Sequence, residues 1–325
     1  MIEIVACGPL ATVQDRGRPG HLSRGLAQGG AMDRAALDEA DALLGEGGAA
    51  IETGGAALSL RFDAPAGIAL TGAPMRATTG DGTALAWHAA HAVAAGTVLR
   101  LAPGGDGGGY SYVTPRGGIL TEPVMGSRAA HLIAGLGLAL RAGDRLPCAE
   151  GGADGLRLDP APDRFRGGVL RCVPTPQTAA FPSDTVDRFT ATAFRRDRRG
   201  NRQGVRLDHH GDGFAPEGGL SLVSDFIAPG DVQITGDGAP YILGPECQTT
   251  GGYPRIATVI PADLSRALQA PPGAPLRFEM TTVEAARRIA TPRPAVVPLV
   301  RDPASLRDLG ARQLISGVVD AQEDR

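Results

Sequence analysis

Ile227-Ala-Pro-Gly-Asp-Val232 has a counterpart in Val93-Ala-Ala-Gly-Thr-Val98, an apolar-x-x-Gly-polar-Val pattern repeated at an offset of 134 residues. The same offset separates Gly251-Gly252 from Gly117-Gly118, and each pair lies 21 residues beyond the glycine of its own pattern. A smaller unit recurs as well, Ala142-Gly-Asp-Arg-Leu146 in the first half and Pro272-Gly-Ala-Pro-Leu276 in the second. Self-similarity at a fixed offset is the mark of a duplicated unit. Two copies do not make a solenoid, so the pattern predicts two similar β domains with glycine loops in matching places.

The residues around the repeat agree. Residues 2–6, 57–62, 67–70, 84–88, 97–101 and 169–173 are short apolar or alternating runs split by Gly, Pro and Asp-Gly, which read as strands, and 256–260 reads as a buried strand or the entry to a helix. The clearest helix is Asp33 to Gly45, with Asp33 as N-cap, a stripe of Ala36, Leu37, Ala40, Leu43 and Leu44, and Gly45 as its stop. Shorter helices are predicted from Ser183 or Asp184 through Val186, Phe189 and Phe194, over Ala262–Gln269, and over Val283–Ile289 from a Thr281-x-x-Glu284 capping box. Pro303–Leu314 also reads as helical. The run Ala149-Glu-Gly-Gly-Ala-Asp-Gly155 with Asp159-Pro-Ala-Pro-Asp163 marks the boundary between the halves. The expected organisation is a first β domain over 1–160, a second over 161–290 and a partly helical tail over 291–325.

Composition narrows the chemistry. The 325 residues are 42% hydrophobic and carry a net charge of −3, with 47 Gly, 26 Pro and only 4% aromatics, which favours a mainly β fold with a few helices. The mild negative charge speaks against nucleic acid as a partner. No apolar run reaches the ~20 residues needed to span a bilayer, and Ile2-Glu-Ile-Val-Ala6 does not read as a secretory signal. Cys7, Cys148, Cys172 and Cys247 are scattered without a C-x-x-C pair, so they are expected to be reduced thiols in a cytoplasmic protein. The 32 basic residues are all arginine. This removes a phosphate-loop lysine, a Schiff-base lysine and a biotin-bearing lysine from the chain.

Several polar stretches stand out as candidate sites. Thr12-Val-Gln-Asp-Arg-Gly-Arg-Pro-Gly20 sets the amide of Gln14, the carboxylate of Asp15 and the cation of Arg18 on one loop, against a default reading as a solvated turn. Gln248-Thr-Thr-Gly-Gly-Tyr-Pro254 concentrates an amide, two hydroxyls, two glycines and a phenol ahead of an apolar run. Adjacent glycines let backbone amides approach a ligand, although a tight turn is their usual role. The densest positive patch, Arg195 to Arg206, reads by default as a solvated loop, with an anion site as the alternative. His88-x-x-His91 lacks a further nearby His or Cys and reads as packing rather than metal.

These motifs occur together, and in this order, in a known family. Thr12–Gly20, Gly30-Ala-Met-Asp33, Arg116-Gly-Gly118, Gly126-Ser-Arg128, Asn201-Arg-Gln-Gly-Val-Arg-Leu207 and Gln248–Pro254 resemble the biotin-dependent carboxyltransferase-like family, also called allophanate hydrolase subunit 2 or KipA-like. The resemblance runs from about residue 2 to residue 280 and, within the family, is nearest to the carboxyltransferase-like C subunit of 5-oxoprolinase. It implies two tandem cyclophilin-like β-barrel domains in a V arrangement. It also implies a chain that works with two others, one KipI-like and one of LamB/YcsF type, to open 5-oxoproline to glutamate with ATP. No cofactor is expected on this chain; ATP, and biotin where the chemistry is carboxyl transfer, would be carried by partner subunits. Alternatives within the resemblance are a carboxyltransferase acting on urea or a similar amide, and a KipA-like antagonist of a kinase inhibitor. Departures are Glu246 where the family often has Asp, Ser127-Arg128-Ala129-Ala130 without the following hydroxyls, and Gly200–Leu207 without the family's Ser, Met and Tyr.

The site residues implied are Gln14, Asp15, Arg116, Gln248 and Tyr253 in catalytic roles. Arg18, Gly117, Gly118, Ser127, Arg128, Arg202, Arg206, Thr249, Thr250, Gly251 and Gly252 would bind substrate. Amide opening develops negative charge on oxygen, which preorganised donors stabilise. The expectation is that the two Gly-Gly amides supply donors from opposite walls of one cleft. Arg18, Arg116, Arg128 and Arg202 would hold a carboxylate or a phosphorylated intermediate. The substrate is a small amide and the isolated chain is expected to be inactive.

Overall fold

The computed structural model describes residues 1–105, 107–137, 139–216, 223–289 and 293–300. The first half is two antiparallel sheets laid face to face. One runs Arg145–Leu146, Ile2–Cys7, Leu58–Phe62, Val98–Pro103, Met75–Thr79, Ala84–Leu85. The other runs Thr12–Gln14, Ala50–Thr53, Ser111–Pro115, Ala66–Gly72, Ala89–Val93, Leu156–Leu158, Val296–Pro298. Alternation places Ile2, Ile4, Leu58, Leu60, Phe62, Leu99 and Leu101 of the first sheet against Val13, Ile51, Ile68, Leu70, Val93 and Val113 of the second. Ala66–Gly72 is buried on both faces because helix α1 (Arg34–Leu44) lies across its outer side. Ala40, Leu43 and Leu44 of α1 pack there on Ala69 and Ala90. The Asp33 carboxylate caps α1 by accepting from the Ala36 amide at 3.3 Å, and Gly45 ends it at φ +71°.

The second half is a closed barrel in the order Gly168–Val173, Arg255–Val259, Asp231–Ile234, Pro240–Leu243, Gly204–Asp208, Phe194–Asn201, Pro275–Met280. Its interior is filled by Leu170, Phe194, Val205, Leu207, Val232, Ile234, Ile242, Ile256, Leu276 and Phe278. Helices α2 (Ser183–Ala191) and α3 (Pro261–Gln269) add Phe189, Ala267 and Leu268; Phe189 stacks on Phe278 with ring centroids 4.4 Å apart. Of the buried side chains in this cluster one comes from the first half, and the half-buried Tyr110 packs against it as well. Met32 is 2% exposed and belongs to the barrel's apolar cluster, so the Gly30–Asp33 segment joins the two halves. A short helix α4 (Val283–Arg288) follows the barrel. Among the described residues no helix is long and apolar enough to cross a membrane.

The mainly β fold with a few helices stands, and four local expectations change. Arg195 to Arg206 is not a loop: Phe194–Asn201 and Gly204–Asp208 form a barrel hairpin, so Phe194 is a strand residue rather than the end of α2. Thr282 rather than Thr281 caps α4, accepting from Ala285 N at 3.1 Å. The strand expected over 84–88 covers only Ala84–Leu85, since His88 takes φ +55°. In the tail, Val296–Pro298 is a strand paired with Leu156–Leu158, while the helix expected over Pro303–Leu314 lies outside the described residues.

The repeat is only partly structural. Gly96 and Gly230 both take positive φ ahead of strands, as do Gly143 and Gly273. Gly117 and Gly118, at φ +71° and +75°, follow the strand Ser111–Pro115, whereas Gly251 sits in a two-residue strand paired with Asp225. The two Gly-Gly pairs share an offset but not a place in the fold.

Candidate functional site at the seam of the two halves

Three stretches far apart in sequence meet where the halves join: Asp15–Arg18, Gly126–His131 and Pro245–Glu246. Asp15 ties the first two. Its carboxylate accepts from the Gly17 amide at 2.7 Å, the Ser127 hydroxyl at 2.5 Å and the Arg128 amide at 2.7 Å. Its carbonyl accepts from Ala31 N at 2.9 Å, which brings in the segment that enters the barrel. Arg128 donates from Nε to Thr121 O at 2.7 Å, and the residue borders two cavities. One, of about 520 Å³, is polar and includes Asp15, Arg16, Asp41 and Glu46. The other, of about 330 Å³, is lined by Val13, Arg18, Leu140 and Leu146 among others.

The third stretch is joined by Gly29 N donating to Pro245 O at 3.0 Å, and by a buried ion network. Arg202, from the barrel hairpin, donates to Glu246, to Glu52 of the first half and to Gly30 O. Glu52 also accepts from the Tyr112 hydroxyl at 2.6 Å and Met32 N at 2.9 Å. Burial alone lowers the Arg202 pKa, but Glu52 and Glu246 outweigh it and hold the guanidinium charged. Burial pushes the Glu52 carboxyl above its usual range, against the pull of Arg202 and its two other donors. Beside this network, His131 Nδ1 lies 3.8 Å from Glu246 and accepts from Ala134 N at 3.3 Å. Burial lowers its pKa against the pull of Glu246, and the hydrogen bond from Ala134 N places the Nδ1 lone pair toward that amide.

The site expected from sequence is brought together in part. Gln14, Asp15, Arg18, Ser127 and Arg128 converge, but not all are free to act. Gln14 is fully buried and spends its amide nitrogen on Thr12 Oγ1 at 3.0 Å and Ala130 O at 3.1 Å. Arg18 is 1% exposed and donates to Ala129 O and Val124 O. Arg202 is consumed by its two carboxylates and a carbonyl, which corrects its expected role in holding a substrate anion. Gly117 N and Gly118 N donate to Glu46 O at 3.1 Å and Pro115 O at 2.8 Å, so neither is a spare oxyanion donor. Arg206 pairs with Asp237 on the barrel and Arg116 donates to Gly152 O at 3.2 Å, each away from the Asp15 cluster's bonds. Gln248 and Thr250 are exposed and Tyr253 is 48% exposed, a surface loop that starts two residues after Glu246. Thr249 O accepts from Ile227 N at 3.1 Å, and Gly252 is half-buried beside Gly251.

Sequence reasoning passed over Glu52 and His131 and treated Glu246 only as a departure. Glu52 left one signal, an acid directly after the apolar Ala50-Ile51, where burial demands a partner. His131 left none. Cys247 follows Glu246, but burial pushes its thiol up to about 12, which removes it as a nucleophile. Among the described residues no group of three His, Cys, Asp or Glu side chains is placed to hold a metal. His88 instead donates from Nε2 to Gly72 O at 2.9 Å and stacks on Phe165.

The model of the carboxyltransferase domain, subdomain A and B, matches residues 24–280. The C subunit of 5-oxoprolinase from Escherichia coli (strain K12) is 33% identical over 293 residues, covering 88% of this chain and 93% of the relative. The Haemophilus influenzae protein of the same name is 31% identical over 295 residues, 89% and 94% of the two chains. The crystal structure of Kluyveromyces lactis urea carboxylase superposes with a TM-score of 0.75 at 23% identity; it shares the fold over 88% of this chain, which spans 28% of that protein.

Proposed function

The chain belongs to the family of the carboxyltransferase domain, subdomain A and B, and from that premise we propose that it is the carboxyltransferase-like member of a 5-oxoprolinase-like complex. In this reading the complex hydrolyses the cyclic amide of 5-oxoproline to glutamate with ATP. The observation that carries it is the 33% and 31% identity to two proteins named as the C subunit of 5-oxoprolinase, over nearly the full length of both chains in each comparison. Hydrolysis of an unactivated lactam needs an activating group and stabilisation of charge on oxygen. Without a lysine the chain has no phosphate-loop lysine, so ATP is assigned to one of its partners, the KipI-like or the LamB/YcsF-type subunit. This chain would contribute the seam, with Arg128 at the mouth of two cavities and the Gln248–Tyr253 loop at its edge.

Growth complementation tests the reading. An Escherichia coli strain lacking its own C subunit of 5-oxoprolinase, supplied with this chain and its cognate partner subunits, should grow on 5-oxoproline as sole nitrogen source. Growth without this chain, or no growth while all three subunits co-purify, would count against it.

A further inference from the structure

Arg128 is fixed at both ends and still has nitrogens to give. Its backbone amide donates to the Asp15 carboxylate at 2.7 Å, and its Nε donates to Thr121 O at 2.7 Å. Among the described residues nothing bonds its Nη1 or Nη2, and neither atom is sealed from solvent. The other three arginines that sequence assigns to a substrate anion lack this combination. Arg18 Nη1 is sealed, Arg202 is consumed by Glu52, Glu246 and Gly30 O, and Arg116 turns to Gly152 O. A planar fork already held by its Nε loses little further freedom when it takes a carboxylate.

Arg128 lines two cavities, and charge decides between them. The polar one, of about 520 Å³, sets Arg16 and Arg128 against Asp15, Asp41 and Glu46, and its Arg16 also pairs with Asp38. The other, of about 330 Å³, sets Arg18, Arg128 and Arg145 against Glu122 and Asp144, and its Arg145 also pairs with Asp63. With Asp38 and Asp63 included, the first surrounds an anion with two excess negative charges and the second with none. An anion on the Arg128 fork is therefore favoured on the side of the second cavity. The walls there are apolar. Val13 and Leu146 belong to the core between the two sheets, and Leu140 packs against that core. A volume of about 330 Å³ lies at the lower end of small-molecule pockets, which run from about 300 to 1,000 Å³.

Resting on the reading of the chain as the subunit that handles 5-oxoproline, we propose that this second cavity is a pocket for a small ring-bearing carboxylic acid. The carboxylate accepts from Nη1 and Nη2 of Arg128, and the ring carbons lie against Val13, Leu140 and Leu146. Paired charge-assisted bonds select the acid over its neutral amide, because an amide offers one acceptor oxygen and no charge. The apolar walls select a ring over a more polar body. Asp15 and Thr121 O act as positioning groups, since they hold the backbone and the Nε of Arg128 in place.

The test is isothermal titration calorimetry of the full chain with cyclopentanecarboxylate and with its neutral isostere, cyclopentanecarboxamide. The acid should bind saturably, and the amide at least about tenfold more weakly. Arg128→Gln should remove that difference by weakening the acid alone, and Leu140→Trp, which fills the cavity, should abolish binding of both. Equal affinity for acid and amide, full affinity for the acid in Arg128→Gln, or no saturable binding by the wild-type chain overturns the proposal. So does binding that survives in folded Leu140→Trp; should that variant fail to fold, the Arg128→Gln titrations decide alone. In the assembled complex, Arg128→Gln should raise the KM for 5-oxoproline at least about tenfold, and an unchanged KM overturns the site. A wild-type complex inactive on 5-oxoproline refutes the substrate reading instead, while the acid and amide titrations still decide the site.

Discussion

Arg202→Met removes one of the buried cations that bridge the two halves; Arg164, paired with Asp33 and Glu39, is another. The guanidinium is 6% exposed and serves Glu246, Glu52 and Gly30 O at once. Without it Glu52 keeps the Tyr112 hydroxyl and Met32 N, while Glu246 keeps only a histidine nitrogen at 3.8 Å. Breaking a buried pair from one side costs about 3–5 kcal/mol, because a charge is left without compensation. One of the two carboxylates stays partly satisfied, so a loss of about 4 kcal/mol is expected. At about 2 °C per kcal/mol for a chain of this size, the melting temperature should fall by about 8 °C. The sign of its pH dependence follows. Orphaned carboxylates bind protons more tightly in the folded than in the unfolded state, so stability falls as pH rises and the loss is smaller at pH 5 than at pH 8. Differential scanning calorimetry at both values measures it, and adding Glu52→Gln and Glu246→Gln should restore more than half. A fall of less than about 2 °C, or one that does not shrink toward pH 5, would refute the view of Arg202 as a structural bridge.

Other outcomes are equally specific. Gly118→Ala should cost about 3 kcal/mol in urea denaturation, from its φ of +75° and a new Cβ only 2.6 Å from Ala49 N, whereas Gly117→Ala meets nothing nearer than 3.6 Å and should cost about 1 kcal/mol. Burial lowers the His88 pKa to about 4, so its contribution is present above pH 6.5 and lost as pH falls toward 4. The stability difference between wild type and His88→Gln should therefore shrink across that window, and a difference independent of pH removes the buried neutral imidazole. Asp15→Ala unties Gly17, Ser127 and Arg128 together. It should lower the activity of the assembled complex at least about tenfold, since misplaced groups lose orientation; a fully active variant shows that the loop is only scaffolding.

What sequence discloses here is local, and what it hides is pairing across the seam. Asp33, Gly45 and the stripe of α1 are legible because a cap, a stop and a 3.6-residue period act within one segment. The strands 57–62, 67–70, 97–101 and 169–173 are legible for the same reason, through alternation and the Gly or Pro that bounds it. Arg195–Arg206 misleads because Arg195, Arg198 and Arg199 are exposed on a barrel hairpin, where a period of two and a solvated loop look alike in a polar run. Gly-Gly at a constant offset misleads because Gly117-Gly118 and Gly251-Gly252 answer different demands: Gly118 must clear Gly48 and Ala49, while Gly251 lies over Gln233. The site divides in the same way. Asp15, Ser127 and Arg128 belong to motifs and are found together. Glu52 and Glu246 acquire their meaning only from Arg202, distant from both in sequence. Arg202 reaches Glu52 across 150 residues and Glu246 across 44.

The role proposed for this chain is that of a required subunit of an ATP-dependent, 5-oxoproline-opening complex. The most direct measurement is glutamate release from 5-oxoproline by the purified cognate KipI-like and LamB/YcsF-type subunits, with and without this chain, with and without ATP. Glutamate should appear only when all three proteins and ATP are present, and none should come from this chain alone. Glutamate formed at the same rate without this chain, or by this chain unaided, would contradict the claim.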